Sequence, residues 1–135
     1  MTITDSVEQL LSSKTRVIDR FYALLLSRHP ELRVLFERRD LSMQATMLTM
    51  ALASVESYFL HRFPATEHYF QVLGHRHFHA GVRREDFGKF ESVLLEVLAE
   101  FHGPEWTPDL AAAWQAAIRL ATDKMAEGYA GTFTY

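Results

Sequence analysis

The stretch LGHRHFHAGV, residues 73–82, places His75, His77 and His79 at alternate positions between two glycines. Alternate positions on an α-helix point about 200° apart, so the three rings cannot all face one core. His75 and His79 are four apart and would share a face, either as half of a metal site or as solvated polar surface. For His77, spacing alone favours an ordinary histidine with a satisfied hydrogen bond. Gly81 is a suitable residue for a left-handed helix end.

Around this stretch, apolar residues recur at helical spacing, and no segment alternates with a period of two between hairpin turn signals. We therefore expect an all-α fold. The predicted helical segments are 5–28, as one helix or two with a bend near 12–13, a short helix opened by Pro30, a long helix capped by Ser42 and ending before Pro64, one from about 65 to near Gly81, one from near Asp86 to 102–103, and one from Pro108 through Met125.

Two of these helices carry apolar residues that we expect to face the core. In the short helix they are Leu32, Leu35 and Phe36, and in the long helix they are Met47, Leu48, Ala51, Leu52, Val55 and Phe59. In the first helical region Tyr22 lies inside the apolar stripe, so its hydroxyl would need a partner in the interior. Gln44 lies four residues before Leu48, on the same helix face. Each of these residues alone is ordinary.

Composition sets the class of protein. A chain of 135 residues without internal repeats, 48% hydrophobic, fits a single domain over residues 1–135 with one core. The net charge of -3 and the absence of basic clusters predict neither nucleic acid nor an anionic membrane as partner. The chain has no cysteine, which excludes disulfides and thiolate metal sites and fits a cytoplasmic protein. The amino terminus lacks a signal-like leader, and no apolar run approaches the roughly 20 residues that span a bilayer.

Four stretches together carry a resemblance to a known family. They are FYALLLSRHPELRVLF (21–36), QATML (44–48), LGHRHFHAGV (73–82) and PEWTPDLAAAWQAAI (104–118). In this order and spacing, the chain resembles a bacterial single-domain globin, related to the globin domain of flavohaemoglobins. The resemblance implies a globin-like three-over-three helical fold that encloses haem b.

The resemblance also implies the site residues. His77 matches the proximal iron ligand, with its other ring N–H donating to a backbone carbonyl near Leu73. The implied haem contacts are Phe36, Leu48, Leu73, His77, Val82 and Phe87. On the distal side the match places Tyr22, Gln44 and Leu48, where an O–H and an amide N–H would stabilise the negative charge that bound oxygen acquires and Leu48 would limit the space.

The chain departs from its relatives on the proximal side. Phe87 stands where flavohaemoglobins usually have a tyrosine, and alignment from Trp114 brings Tyr129, with Glu127 two residues away, to the place of their last-helix glutamate. Which of Tyr129 and Glu127 contributes there is left open. We expect no strong proximal push and no peroxidase-like chemistry.

Three functions agree with these features. The first is reversible binding of oxygen, NO or CO by a monomer or homodimer. The second is a nitric oxide dioxygenase, which would need a separate reductase because the sequence holds no reductase domain or dinucleotide fingerprint. The third is a globin sensor, with or without haem. We expect binding in the first place and NO dioxygenation next.

Overall fold

The computed structural model describes residues 1–13 and 17–135, and within these ranges it is helical with no strand. The α-helices are α1 (Ile3–Ser12), α2 (Val17–Arg28), α3 (Leu41–His61), α4 (Pro64–Ala80), α5 (Asp86–His102) and α6 (Pro108–Glu127), with short 3₁₀ helices at Pro30–Phe36 and Gly103–Glu105. Helices α1, α3 and α4 form one layer and α2, α5 and α6 the other, and α6 crosses both α3 and α4. The predicted all-α, three-over-three arrangement is confirmed. None of the helices in the described ranges has the length and apolarity to cross a membrane.

The first helical region forms two helices, which decides between the two alternatives that the sequence left open. Helix α1 begins at Ile3 rather than at Asp5, because Thr2 and Asp5 form a capping box in which each side chain accepts a hydrogen bond from the other's main-chain N–H. The helix ends at Ser12, and Ser13 has extended backbone (φ −71°, ψ 133°). The break therefore lies where the paired serines predicted a bend.

The predicted cap of α3 is wrong. Asp40, not Ser42, caps this helix, since the Asp40 carboxylate accepts hydrogen bonds from the main-chain N–H groups of Ser42 (2.9 Å) and Met43 (3.3 Å). A carboxylate next to the positive end of a helix dipole satisfies two of the orphan donors there. Ser42 consequently lies in the first turn.

The prediction that Met47 belongs to the buried stripe of α3 is also wrong. Met47 is 55% exposed, whereas Ala45, Leu52 and Val55 are buried. Helix α3 is apolar on almost every side, so periodicity does not choose the buried face. The buried face is determined by packing against α1, α2 and α6, and in that packing Met47 faces solvent.

The end of α4 follows the sequence prediction. Gly81 has φ 96°, a left-handed conformation that suits glycine, and its N–H bonds to the Phe78 carbonyl at 3.1 Å. The next N–H, that of Val82, bonds to the His77 carbonyl at 3.0 Å. These two bonds satisfy the carbonyls of His77 and Phe78 in the last turn of α4. Val82, the residue after Gly81, is buried.

Helices α4 and α6 meet backbone to backbone through two glycines. A Cβ atom added at Gly74 would lie 1.9 Å from the main-chain oxygen of Met125, and one added at Gly128 would lie 2.2 Å from that of Gln71. No side chain fits at either place. The position of α4, and of every side chain it carries, is thus set by this close crossing.

A buried polar cluster joins α1 to the last two long helices. The Trp114 indole N–H donates to the Ser6 hydroxyl oxygen at 2.9 Å, and that oxygen lies 2.6 Å from Nε2 of His102. All three side chains are buried, and Nδ1 of His102 has no hydrogen-bond partner. Since buried polar groups are costly without partners, Ser6 ties α1 to α5 and α6.

Candidate functional site

A largely apolar cleft, partly open to solvent, lies between the two layers and encloses a cavity of about 150 Å³. Among the described residues, four polar side chains line it: Tyr22, His77, Glu91 and Thr122. The apolar lining comes from Phe21, Leu48, Ala51, Leu52, Val55, Phe70, Leu73, Phe87, Phe90, Leu94, Ile118, Ala121 and Met125.

His77 reaches this cleft from the last turns of α4, and its ring is fixed by its own helix. Nδ1 lies 2.7 Å from the carbonyl oxygen of Leu73, so Nδ1 must carry a proton and donate it. The nitrogen left with a free lone pair is then Nε2. The hydrogen bond expected from the resemblance, to a backbone carbonyl near Leu73, is present. Burial lowers the pKa of His77 below its usual value, against the smaller opposing effect of this hydrogen bond. The ring is therefore a neutral imidazole at neutral pH.

A second polar group of the cleft is the Tyr22 hydroxyl, whose hydrogen-bonding capacity is only partly used. The residue is 7% exposed, and its hydroxyl makes a long hydrogen bond of 3.5 Å to the main-chain carbonyl of Gln44. Its ring packs edge-on against Phe21 and Phe36, with centroids 5.0 and 5.5 Å apart. Burial raises the pKa of Tyr22 to about 12, so the phenol keeps its proton and stays a donor. A donor held this loosely can turn toward a ligand at little cost.

The structure brings some of the predicted site residues together in the cleft and leaves others outside its lining. Tyr22, Leu48, Leu73, His77 and Phe87 line it. Phe36, Gln44 and Val82 do not.

Those three residues support the residues that line the cleft. Phe36 contacts the Tyr22 ring, and Gln44 meets the Tyr22 hydroxyl through its main chain rather than its amide. Val82 follows the α4 terminus.

The two residues between which the sequence left the proximal role open, Tyr129 and Glu127, both have partners in the structure. The Tyr129 hydroxyl donates to the carbonyl of Val82 at 2.8 Å, and Glu127 is occupied by an ion pair with Lys124 at 3.0 Å and a hydrogen bond from Gln71. Neither residue is the hydrogen-bond partner of the His77 ring, which is the Leu73 carbonyl. The acceptor for the ring N–H of His77 is a main-chain carbonyl and not a carboxylate.

Sequence reasoning missed two polar residues of the lining, Glu91 and Thr122. Each lies four residues after an apolar lining residue on its helix, Phe87 on α5 and Ile118 on α6, and that spacing was the signal that could have found them. Glu91 is paired with Arg119, Nε to Oε1 3.0 Å. Its charge at the edge of the cleft is therefore compensated.

The donor set fits an iron porphyrin. A flat apolar macrocycle requires an apolar cleft, and its iron requires one neutral imidazole whose second N–H is held by an acceptor. Leu73 and His77 supply the second requirement, and the aromatic and aliphatic lining supplies the first.

Comparison with known proteins agrees with this geometry. The model of the globin family matches residues 19–125, a range that includes every residue lining the cleft. No curated protein matches the chain. Membership of this family implies haem binding. On its helical architecture and on this match, the chain belongs to the globin family.

Proposed function

We propose that this globin, as a single domain over residues 1–135, binds oxygen reversibly, and also NO or CO, at the iron of haem b. The observation that carries the proposal is one cleft lined by both His77, with Nδ1 held by the Leu73 carbonyl, and the buried phenol of Tyr22. Ferrous haem, when bound, supplies the iron that takes a diatomic ligand. Nε2 of His77 would hold that iron on the proximal side.

The chain's own residues divide the remaining work. The Leu73 carbonyl fixes the tautomer and the rotation of the His77 ring. On the distal side Tyr22 donates a hydrogen bond to a ligand that carries negative charge, with Gln44 as a second donor if its amide turns inward, and half-buried Leu48 limits the volume. A hydrogen bond to a charged group contributes about 1.5–3 kcal/mol, which corresponds to a change of roughly 10- to 100-fold in ligand release.

The haem contacts we propose are Leu48, Leu73, His77 and Phe87, which line the cleft, together with Phe36 and Val82. The last two would reach the cofactor by a modest repacking of their side chains. We further propose a cytoplasmic protein, monomeric or homodimeric.

Nitric oxide dioxygenation with a separate reductase is the second candidate, and the Tyr22 hydroxyl favours it because the same donor would hold bound oxygen for reaction with NO. The proximal side supports simple binding more strongly. A main-chain carbonyl polarises the His77 ring less than a carboxylate would, and Tyr129 and Glu127 are engaged elsewhere. Reversible binding is therefore the conclusion we favour.

The optical spectrum of the purified protein tests the proposal. We expect haem bands in the oxidised, dithionite-reduced and oxygenated states, and their loss or altered ligation in His77→Ala. His68→Ala is the matched control, since His68 is an exposed histidine on the same helix outside the cleft lining. A wild-type protein that takes up no haem, or a His77→Ala variant with an unchanged spectrum, would overturn the assignment.

A second measurement separates binding from dioxygenation. The oxygenated protein is mixed with NO, and nitrate is followed in the presence of a cellular reductase extract. One nitrate per haem supports reversible binding as the function. Nitrate formation through many turnovers supports the dioxygenase.

A further inference from the structure

Two histidine rings of α4 meet outside the cleft lining. Nε2 of His75 lies 3.1 Å from Nε2 of His79, and the ring centroids are 4.4 Å apart with the planes at 81°. Neither ring lines the cleft, whose histidine is His77. The pair is thus a separate cluster of two potential metal ligands.

The ring of His75 is held in one tautomer. Its Nδ1 lies 3.0 Å from the carbonyl oxygen of Gly128, so Nδ1 carries the proton and Nε2 carries a lone pair directed at His79. Without a metal, His79 can donate its own Nε2–H to that lone pair. When His79 adopts the other tautomer, both Nε2 atoms carry free lone pairs 3.1 Å apart.

The distance between the two nitrogens suits a shared metal ion. With metal–nitrogen bonds of about 2.0–2.1 Å and angles between about 90° and 110°, two imidazole nitrogens on one ion lie about 2.8–3.4 Å apart. The observed 3.1 Å falls within this interval. Binding would therefore need the proton on Nε2 of His79 to move to Nδ1 of the same ring, while the distance between the two Nε2 atoms could stay as it is.

His75 is preorganised, whereas His79 is accessible. His75 is half-buried beside the rings of Phe133 and Tyr135, at centroid distances of 5.1 and 5.3 Å, and the close approach of Gly128 keeps its acceptor carbonyl in place. A carbonyl that holds the second nitrogen of a ligating histidine is the usual arrangement at protein metal sites. His79 is exposed, so an ion and its waters can enter from solvent.

We propose that His75 and His79 form a two-histidine site for a divalent transition-metal ion, distinct from the cleft. Imidazole ligands favour ions of borderline softness, and Cu²⁺ is expected to bind more tightly than Ni²⁺ or Zn²⁺. In the described ranges no third histidine, aspartate or glutamate joins such a group, so water fills the remaining positions. The bound ion links successive turns of α4 and, through the Gly128 carbonyl, strengthens the contact with the end of α6. This inference does not depend on haem binding.

Titration of the purified protein, with whatever haem it carries, with Cu²⁺ by calorimetry tests the site. We expect one tight equivalent in the wild type and binding weakened at least tenfold in both His75→Ala and His79→Ala, because loss of a supporting hydrogen bond alone costs about 10- to 100-fold in metal affinity. His68→Ala, which removes another exposed histidine of α4, should keep the wild-type affinity.

Electron paramagnetic resonance of the Cu²⁺-loaded protein gives a second readout. We expect hyperfine structure from two imidazole nitrogens in the wild type and from fewer in His79→Ala. Because His79 is exposed, that variant should fold normally, and circular dichroism checks this. Equal loss of affinity in His68→Ala and His79→Ala, or coordination by two imidazoles that survives in His79→Ala, would overturn the proposal.

Discussion

Replacement of Gly74 by alanine should destabilise the protein, although the same substitution usually strengthens a helix. Alanine in place of glycine inside a helix contributes up to about 1 kcal/mol of stability. At Gly74, however, the new Cβ would lie 1.9 Å from the Met125 carbonyl oxygen, about 1.5 Å inside the 3.4 Å at which ordinary contact begins. The obstacle is main chain, so α4 and α6 must separate.

The two effects can be weighed against each other. Inserting a methyl group into a well-packed contact costs about 1–3 kcal/mol, and a clash with rigid main chain lies at the upper end of that range. With the propensity gain subtracted, we expect Gly74→Ala to lower the free energy of unfolding by about 2 kcal/mol. Because His77 lies one turn further along α4, the variant should also show a changed haem spectrum.

Urea denaturation followed by far-ultraviolet circular dichroism measures the change. Gly88→Ala is the matched control, since Gly88 lies in α5 and a Cβ there meets nothing within 4 Å. We expect Gly88→Ala to be neutral or more stable than the wild type. If Gly74→Ala stabilised the protein as much as Gly88→Ala, the close crossing of α4 and α6 would be refuted.

Three further predictions follow from the buried polar groups. Tyr22→Phe should raise the oxygen dissociation rate about 10- to 100-fold on stopped-flow, with little change for CO, and an unchanged rate would mean that the hydroxyl points elsewhere. Ser6→Ala should lower the free energy of unfolding by about 2–6 kcal/mol, because Trp114 and His102 each lose a buried partner worth about 1–3 kcal/mol, and a loss under about 1 kcal/mol would contradict the cluster. Burial lowers the pKa of His102 in the folded protein. As the pH falls below 6.5, the His102 side chain is therefore protonated more readily in the unfolded chain than in the folded one. The free energy of unfolding should fall with pH in this range, by at most about 1.4 kcal/mol per pH unit for this group. His102→Gln should remove that part of the pH dependence of urea denaturation and leave the part due to His77, whereas an unchanged slope would exclude His102 as a source.

Much of the fold could be predicted from the sequence because its signals are local. The left-handed end of α4 at Gly81 and the proline that opens α6 depend on residues within one turn of the boundary. The rotation of α3 is not local. The buried face of α3 depends on its packing against three other helices, so the sequence predicts Met47 in the core whereas the structure places it in solvent.

In the candidate site, too, contacts within one helix could be predicted from the sequence, whereas contacts between distant segments could not. The spacing between Leu73 and His77 is one helical turn, so the hydrogen bond from the ring to that carbonyl could be expected. The partners of Tyr129 and Glu127 could not, since they depend on where α6 ends relative to Val82 and Gln71 in another part of the chain. Single-residue patterns contain no information about such distant contacts.

The hydrogen bond between Trp114 and Ser6 makes the protein its own fluorescent reporter. The chain has two tryptophans. The buried indole of Trp114 donates a hydrogen bond to Ser6 of α1. Trp114 also lies one helical turn before Ile118, which lines the cleft. Release of α1 would expose that indole to water and shift its emission to longer wavelength, whereas a coloured group entering the cleft would quench it. With Trp106 replaced by phenylalanine, one emission spectrum would distinguish undocking of the first helix from occupation of the cleft.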